Sequence, residues 1–267
     1  MAILVTGGAG FIGSHVCEAL VKEGKEAVCL DNFNEFYNPK FKQENIKGLL
    51  KERNFKLIKG DIREKNVERI LKKNDVREVI HLAAQAGVRP SIENPMLYAD
   101  VNINGTLNLL EASRRQGIEN FVFGSSSSVY GINNKIPFSE EDKIDKPISP
   151  YAASKAAGEL YCHTYSHLYG LNITCLRFFT VYGPRGRPDM APYKFTKLIS
   201  EGKAIEVFGD GKSKRDYTFI SDIVNGILAA SRKKHRYEII NLGNSKTVEL
   251  SYLISVIEKE VGRKALI

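Results

Sequence analysis

The chain has 267 residues, of which 43% are hydrophobic and 26% are charged, close to the averages of folded globular proteins. This composition excludes disorder, collagen and coiled coil as descriptions of the whole chain, and no stretch approaches the ~18 apolar residues of a membrane span. The net charge of +8 is compatible with nucleic-acid binding, but the short basic runs fall where helices are predicted to end, which favours a solvated surface. Met1 leads directly into the apolar run at 2–5 without a basic region or cleavage site, so we expect no signal peptide. We therefore expect a cytoplasmic protein of one or two domains, with no nucleic-acid partner and no membrane contact.

Residues that could bind a metal are scattered. The cysteines Cys17, Cys29, Cys162 and Cys175 form no C-x-x-C pair, so the sequence indicates neither a zinc site nor a disulfide framework. His163 and His167 are four residues apart on a predicted helix, but no third ligand accompanies them, and a half-buried polar helix face explains them better. We predict no metal.

Short β-rich runs alternate with longer amphipathic segments through the first two thirds of the chain. Strands are predicted at 3–6, 26–30, 55–59, 78–82, 120–124 and 172–177, with a first helix at 11–23. This alternation is typical of a doubly wound α/β fold with a parallel sheet. From Gly183 the pattern becomes irregular, with helices near 193–200 and from Asp222 and Leu250, and we expect a smaller second lobe there.

A glycine-rich segment follows the first predicted strand. Gly8, Gly10 and Gly13 match G-x-G-x-x-G, and Gly7 with the last two matches G-x-x-G-x-x-G. Between a strand and a helix, such glycines let the backbone approach a pyrophosphate at the helix N-terminus. Asp31, eighteen residues after Gly13, can accept hydrogen bonds from an adenosine ribose and would repel a 2′-phosphate, which favours NAD over NADP. A simple glycine turn with a surface aspartate is the less favoured alternative.

A second motif, Y-x-x-x-K, is formed by Tyr151 and Lys155 at the start of a helix that Ser149 and Pro150 are predicted to begin. The two side chains share one helix face. An ammonium ~5 Å from a phenolate at an effective dielectric near 20 is worth ~3 kcal/mol, enough to lower a phenol pKa by about two units. Alone, the motif would be read as a surface pair, but with the glycine fingerprint it predicts a catalytic base.

Four serines, from Ser125 to Ser128, follow the predicted strand at 120–124. They stand at the carboxyl end of the strand, where doubly wound sheets hold ligands. A hydroxyl there can share a substrate proton. A polar strand-to-loop turn is the alternative, and the tyrosine and lysine make catalysis the preferred interpretation.

Together these motifs resemble the extended short-chain dehydrogenase/reductases of the NAD-dependent sugar-nucleotide epimerase/dehydratase family, over essentially the whole chain. The resemblance implies a Rossmann-type NAD-binding domain at 1–177 and a mainly substrate-binding lobe at 178–267 that is interleaved with it. It also implies a homodimer formed through a four-helix bundle, with helices near 97–115 and 151–169. Relatives continue for some tens of residues past the position of Ile267, so we expect the substrate lobe to be incomplete.

The resemblance also assigns residues to three roles. The catalytic residues are Tyr151 as base, Lys155 as its activator, Ser126 and Ser127. The other NAD-binding residues are Gly7, Gly10, Phe11, Ile12, Gly13, Asp31, Asn32, Asp61, Ile62, Leu82, Ala83, Ala84, Asn102 and Phe178. The substrate-binding residues, besides the two serines, are Arg89, Thr180, Arg185, Arg187 and Arg215. Asn102 is implied to support the catalytic residues from beneath, and Arg215 to hold the UDP moiety.

The segments 81–89 and 177–190 resemble the UDP-glucuronate 4-epimerase branch, in which a threonine such as Thr180 replaces an asparagine found in many relatives. The implied reaction converts UDP-glucuronate to UDP-galacturonate through a 4-keto sugar, with NAD regenerated each turnover. Arg187 is the strongest candidate for the sugar carboxylate, whereas surface solvation suits Arg89 and Arg185 equally well. A UDP-glucose 4-epimerase and a truncated, non-catalytic NAD(H)-binding protein are the alternatives. A dehydratase is poorly supported, because serines and not carboxylates follow Ser126.

Overall fold

A computed structural model describes all residues from Met1 to Ile267. The strands are β1 (Ala2–Thr6), β2 (Glu26–Asp31), β3 (Phe55–Lys59), β4 (Val76–His81), β5 (Asn120–Ser126), β6 (Ile173–Phe178), β7 (Thr180–Tyr182), β8 (Lys214–Phe219), β9 (Tyr237–Leu242) and β10 (Thr247–Glu249). The helices are α1 (Phe11–Lys22), α2 (Pro39–Ile46), α3 (Val67–Lys73), α4 (Val88–Glu93), α5 (Pro95–Tyr98), α6 (Gly105–Gln116), α7 (Pro150–Tyr169), α8 (Ala191–Ser200), α9 (Ile220–Arg232) and α10 (Leu250–Val261). A π-helical turn, Ala99–Asn104, joins α5 to α6, and short 3₁₀ turns cover Leu49–Lys51 and Ser127–Tyr130.

Seven parallel strands form the main sheet in the order β3-β2-β1-β4-β5-β6-β9. Both faces of the sheet are buried: α1 and α9 pack on one face, and α3, α6 and α7 pack on the other. Apolar side chains therefore point both ways along each central strand, which is why these strands read as continuous hydrophobic runs. The predicted doubly wound α/β fold is confirmed.

A smaller lobe follows Phe178. It contains a three-stranded sheet in the order β10-β8-β7 and a compact core between α8 and α10 that includes Phe195, Ile199 and Ile254. Not all residues after Phe178 belong to this lobe. Helix α9 packs on the main sheet, and β9 pairs with β6 in that sheet. The division of the chain at residue 177 stays a prediction.

Most element boundaries lie within two residues of those predicted from the sequence. The Oγ of Ser149 accepts the backbone N–H of Ala152 at 3.1 Å, so the predicted cap begins α7 with Pro150 in its first turn. The four cysteines are buried and unpaired. No helix has both the length and the apolar character needed to cross a bilayer. The sequence patterns did not predict the π-helical turn.

Candidate active site

A cleft of about 420 Å³ opens at the carboxyl ends of β1, β4 and β5, where the strand order reverses. Its walls bring together most of the residues assigned from the sequence. Those lining it are Gly7, Gly10, Phe11, Ile12, Gly13, Asp31, Asn32, Asp61, Ile62, Leu82, Ala83, Ala84, Ser126, Ser127, Tyr151, Lys155, Phe178, Thr180 and Arg187. The predicted cofactor and catalytic residues thus share one cavity, apart from Asn102.

The glycine-rich loop forms one wall of the cleft and has no room for side chains. Gly7 has a φ of +67°, and a Cβ there would lie 2.8 Å from the backbone nitrogen of Ala83. A Cβ on Gly13 would lie 2.2 Å from the Gly7 carbonyl oxygen. The backbone N–H groups of Phe11, Ile12 and Gly13 have no acceptor in the protein, and the first turn of α1 has no acidic residue. These free donors at a helix N-terminus fit the pyrophosphate of a dinucleotide.

The Asp31 carboxylate at the end of β2 is buried and ion-paired. Its Oδ2 accepts the N–H of Ala9 at 3.1 Å and its Oδ1 accepts the N–H of Phe33 at 2.9 Å. The buried ammonium of Lys42 donates to the same Oδ1 at 3.3 Å and to Asn34 at 2.9 Å. The sequence reasoning missed Lys42, because no local pattern links α2 to the end of β2.

Replacing Asp31 with Ala should shift the cofactor preference from NAD towards NADP, because Lys42 would lose its counterion beside the ribose position. Two unit charges ~6 Å apart at an effective dielectric near 20 interact by ~3 kcal/mol, so a change of up to about a hundredfold in the affinity ratio is expected. Titration with NAD and with NADP measures this ratio of affinities. The double change of Asp31 and Lys42 to Ala should remove most of this shift. Equal affinities for NAD and NADP in the unaltered protein would contradict the expectation that Asp31 favours NAD.

Asn32 and Asp61 are joined at the side of the cleft where β2 and β3 end. Asn32 donates to Asp61 Oδ2 at 2.8 Å, and Arg63 donates to both carboxylate oxygens, which together hold the pKa of Asp61 at about 2. Arg63 also pairs with Asp100. Asp61 is therefore a fixed carboxylate, and with Ile62 it closes this end of the cavity.

Tyr151 and Lys155 occupy the first two turns of α7, where Tyr151 is half-buried and Lys155 is buried. The Lys155 Nζ donates to the Gly124 carbonyl oxygen at 2.6 Å and lies 5.0 Å from the centre of the Phe123 ring. Burial lowers the pKa of Lys155 to about 8. The lysine is thus held at the floor of the cleft by the end of β5.

The electrostatics of Tyr151 differ from the sequence-based expectation. Burial raises the pKa of the Tyr151 phenol, and the groups that oppose this rise are the Ser126 hydroxyl and the Arg187 guanidinium. Lys155 is not among these groups, and its ammonium donates to the Gly124 carbonyl oxygen. In this structure the stabilisation of a Tyr151 phenolate comes from Ser126 and Arg187.

The serine run is held from below by a buried ion pair. Ser125 donates to Glu159 Oε1 at 2.5 Å, and Arg177 donates to Glu159 Oε2 at 2.7 Å, with both charged side chains 2% exposed. The Ser126 Oγ accepts the N–H of Ser128 at 3.2 Å, which orients the turn that follows β5. The sequence reasoning missed Glu159, although it stands four residues after Lys155 on the same helix face.

Four of the assigned residues do not line the cleft. Asn102 is buried beneath it and exchanges hydrogen bonds with the backbone of Gln85 at 2.8 and 2.9 Å. The Arg89 guanidinium lies 3.6 Å from the centre of the Phe208 ring. The Arg185 guanidinium pairs with Glu18, and the Arg215 guanidinium donates to the Lys214 carbonyl oxygen.

The two histidines His163 and His167 stack on each other, and the chain contains no cluster of three or more potential metal ligands.

Arg187 is the one assigned arginine in the cleft wall, and its side chain is 20% exposed. Its Nε and Nη2 donate to the two oxygens of Asp189 at 3.0 and 2.5 Å, and the guanidinium lies 5.4 Å from the centre of the Phe36 ring. No protein group accepts from Nη1. Arg187 also borders a second cavity of about 450 Å³, lined by residues of 181–197. It thus stands between the cofactor cleft and the smaller lobe.

Comparison with known proteins gives consistent matches along the chain. A family model described as the NAD dependent epimerase/dehydratase family matches residues 3–243. A UDP-glucuronate 4-epimerase of Thermodesulfobacterium geofontis is 48% identical over 264 residues, which cover 98% of this chain and 81% of that protein. The crystal structure of a Bacillus cereus UDP-glucuronic acid 4-epimerase with UDP-glucuronic acid and NAD has a TM-score of 0.94 at 40% identity, covering 100% of this chain and 85% of that one. A Thermotoga maritima UDP-glucose 4-epimerase with UDP-glucose has a TM-score of 0.91 at 35% identity, with 100% and 85% coverage. The chain belongs to the NAD dependent epimerase/dehydratase family.

Proposed function

We propose that the chain is an NAD-dependent 4-epimerase that interconverts UDP-glucuronate and UDP-galacturonate. The observation that carries the proposal is the placement of Arg187 in the wall of the cleft that also holds Tyr151 and Thr180. Asp189 accepts from Nε and Nη2 of Arg187 but not from Nη1, so Nη1 can donate a charge-assisted hydrogen bond to the C6 carboxylate of a uronate. The similarity to UDP-glucuronate 4-epimerases supports the same substrate.

The residues of this chain divide the work of the reaction. The amides of the glycine loop, Asp31 and Lys155 would hold NAD, which supplies the acceptor and then the donor of the C4 hydride, so that no net oxidation results. Tyr151 takes the proton from the C4 hydroxyl at its Oη and returns it after the sugar has turned. Ser126 shares that proton by hydrogen bonding, and the buried floor formed by Gly124 and Lys155 excludes water.

Arg187 has a second task that follows from the chemistry of the substrate. A ketone at C4 makes the C6 carboxylate a β-keto acid, which can lose carbon dioxide. Decarboxylation must release the electron pair of the carboxylate, and pairing with a guanidinium stabilises that charge before release. We propose that Arg187 retains the carboxylate as well as recognising it.

A UDP-glucose 4-epimerase is the second candidate, favoured by the similarity to the Thermotoga maritima enzyme. The test is to supply UDP-glucuronate, UDP-glucose and UDP-xylose separately, with NAD, and to separate the products by chromatography. We expect the uronate to be turned over preferentially. Preference for a neutral sugar would contradict the uronate assignment and leave the epimerase mechanism standing. The convergence of Tyr151, Lys155 and Ser126 in one cleft argues against a non-catalytic NAD-binding protein.

We propose that residues 178–267 form mainly the substrate side of the cleft, because β7 and the 183–190 loop border it.

We also propose a homodimer in which α6 and α7 of two copies form a four-helix bundle. Leu160 and Leu168 on α7 are 65% and 61% exposed, which a partner helix would cover.

Changing both Leu160 and Leu168 to Lys should convert the dimer to a monomer, because like charges would meet at the centre of the bundle. Analytical ultracentrifugation measures the outcome. Tyr252→Lys, which alters an apolar side chain on α10 with 62% exposure, is the control and should leave the dimer intact. A monomeric unaltered chain would contradict this proposal.

A further inference from the structure

A buried imidazole links the end of β1 to α6, directly before the segment that lines the cofactor cleft. His81 ends β4 and is 1% exposed. Its Nδ1 lies 2.7 Å from Thr6 Oγ1 at the end of β1, and its Nε2 lies 2.9 Å from Thr106 Oγ1 on α6. Both ring nitrogens are therefore engaged, and the ring joins the sheet to the helix layer that covers it.

The directions of these hydrogen bonds follow from their neighbours. Thr106 Oγ1 donates to the Asn102 carbonyl oxygen at 2.6 Å, so it accepts from His81 Nε2–H. Nδ1 then accepts from the Thr6 hydroxyl, whose oxygen in turn accepts the Ala83 N–H at 3.2 Å. Burial lowers the pKa of His81 to about 3, which keeps the ring neutral and this tautomer fixed.

The same chain of contacts continues to the catalytic helix. The Asn102 side chain holds the N–H and the carbonyl oxygen of Gln85 and donates to Ser154 Oγ at 2.9 Å. Ser154 Oγ donates to the Tyr151 carbonyl oxygen at 2.8 Å. The segment Leu82–Gln85 is thus fixed at Ala83 through Thr6 and at Gln85 through Asn102. Leu82 and Ala83 line the cleft, so the segment is one of its walls.

We propose that His81 is a positioning residue that keeps the Leu82–Gln85 wall of the cofactor site in register with the Tyr151 helix. The backbones of Gly7 and Ala83 are so close that a Cβ on Gly7 would lie 2.8 Å from the Ala83 nitrogen. A shift of this wall towards the glycine loop would therefore bring the two backbones into contact. The inference rests on NAD occupying the cleft, and it is independent of which sugar is bound. Thr6, Thr106 and Asn102 act through the same relay.

Isosteric changes at Thr106 separate this role from general core packing. Thr106→Val removes the hydroxyl that His81 needs, whereas Thr106→Ser retains it and is the matched control. His81→Asn, which can reach Thr6 but not Thr106, is the second variant. We expect Thr106→Val and His81→Asn to weaken NAD binding and to lower kcat by about tenfold each, the loss typical of a buried hydrogen bond. The KM for the UDP-sugar should change less than about twofold, because the sugar side of the cleft is not part of the relay.

A second readout needs neither cofactor nor substrate. In the NAD-free protein, the amides of Ala83 and Gln85 should exchange with deuterium faster in Thr106→Val and His81→Asn than in Thr106→Ser. Amides of β2 serve as the reference and should not change. Unaltered NAD affinity and unaltered exchange at Ala83 and Gln85, with only a lower melting temperature, would overturn the inference. Failure of the unaltered protein to bind NAD would instead contradict the proposed function, and the exchange experiment would still test the relay.

Discussion

Replacing Tyr151 with phenylalanine is expected to leave NAD binding intact and to lower turnover of the UDP-sugar. The loss should be ~10²–10⁴-fold, which is the contribution of positioned proton transfer. The phenylalanine ring retains the packing of Tyr151 against Tyr98, whose ring centre is 6.3 Å away. Only the hydroxyl is lost, so the cavity should keep its shape. Steady-state rates measure the loss, and a cofactor titration verifies that the site is intact.

Tyr98→Phe is the matched control for this change. It also removes one phenolic hydroxyl near the cleft. That hydroxyl donates to the Ala86 carbonyl oxygen at 2.7 Å and takes no part in the proposed proton transfer. We expect it to retain most of the activity. Lys155→Ala should bind NAD less tightly and lose turnover as a result, because Lys155 is proposed to hold the cofactor. Near-normal turnover in Tyr151→Phe would show that another group is the base.

Arg187→Ala should reduce kcat/KM for UDP-glucuronate by about ten- to a hundredfold, because a charge-assisted hydrogen bond to a carboxylate contributes ~1.5–3 kcal/mol. Any activity on UDP-glucose should fall far less, since a neutral sugar offers no carboxylate. The same variant also removes one of the groups that oppose the rise of the Tyr151 pKa. The rate profile with either sugar should therefore move to higher pH.

Arg185→Ala provides the comparison for Arg187. Both arginines stand in the same loop, but the Arg185 guanidinium pairs with Glu18 at 3.2 Å and is outside the cleft. We expect its loss to leave the discrimination between uronate and neutral sugar unchanged. Equal losses on both sugars in Arg187→Ala would remove the support for carboxylate recognition.

The parts of this molecule that depend on local pattern could be predicted from the sequence. Apolar runs of strand length predicted six of the seven main-sheet strands, and Ser149 and Pro150 marked the start of α7. The spacing of Gly10 and Gly13 after β1 predicted a glycine-lined cleft at the end of that strand, because it encodes a backbone shape and not a distant contact. Tyr151 and Lys155 met in that cleft for the same reason, since one turn of helix separates them.

The features that were missed depend on contacts between distant parts of the chain. Lys42 meets Asp31 only because α2 folds back over the end of β2, and Arg185 meets Glu18 across more than 160 residues. The pKa of Tyr151 could not be anticipated either, because burial and the orientation of Lys155 depend on the whole fold. Charge and spacing alone could not tell Arg187 from its neighbours, and it was the resemblance to the uronate branch that singled it out.

The pairing of β9 with β6 has a consequence for how the protein is made. The main sheet gains its last strand, Tyr237–Leu242, from residues that follow most of the smaller lobe. A ribosome adds ~5–20 residues each second, so the edge of β6 stays open for several seconds after it emerges. An unpaired parallel edge of this kind can join another chain. Stalling translation through a linker that carries residue 178 out of the ribosome should therefore yield nascent chains that depend on chaperones. A chain in which residue 242 has also emerged should lose that dependence.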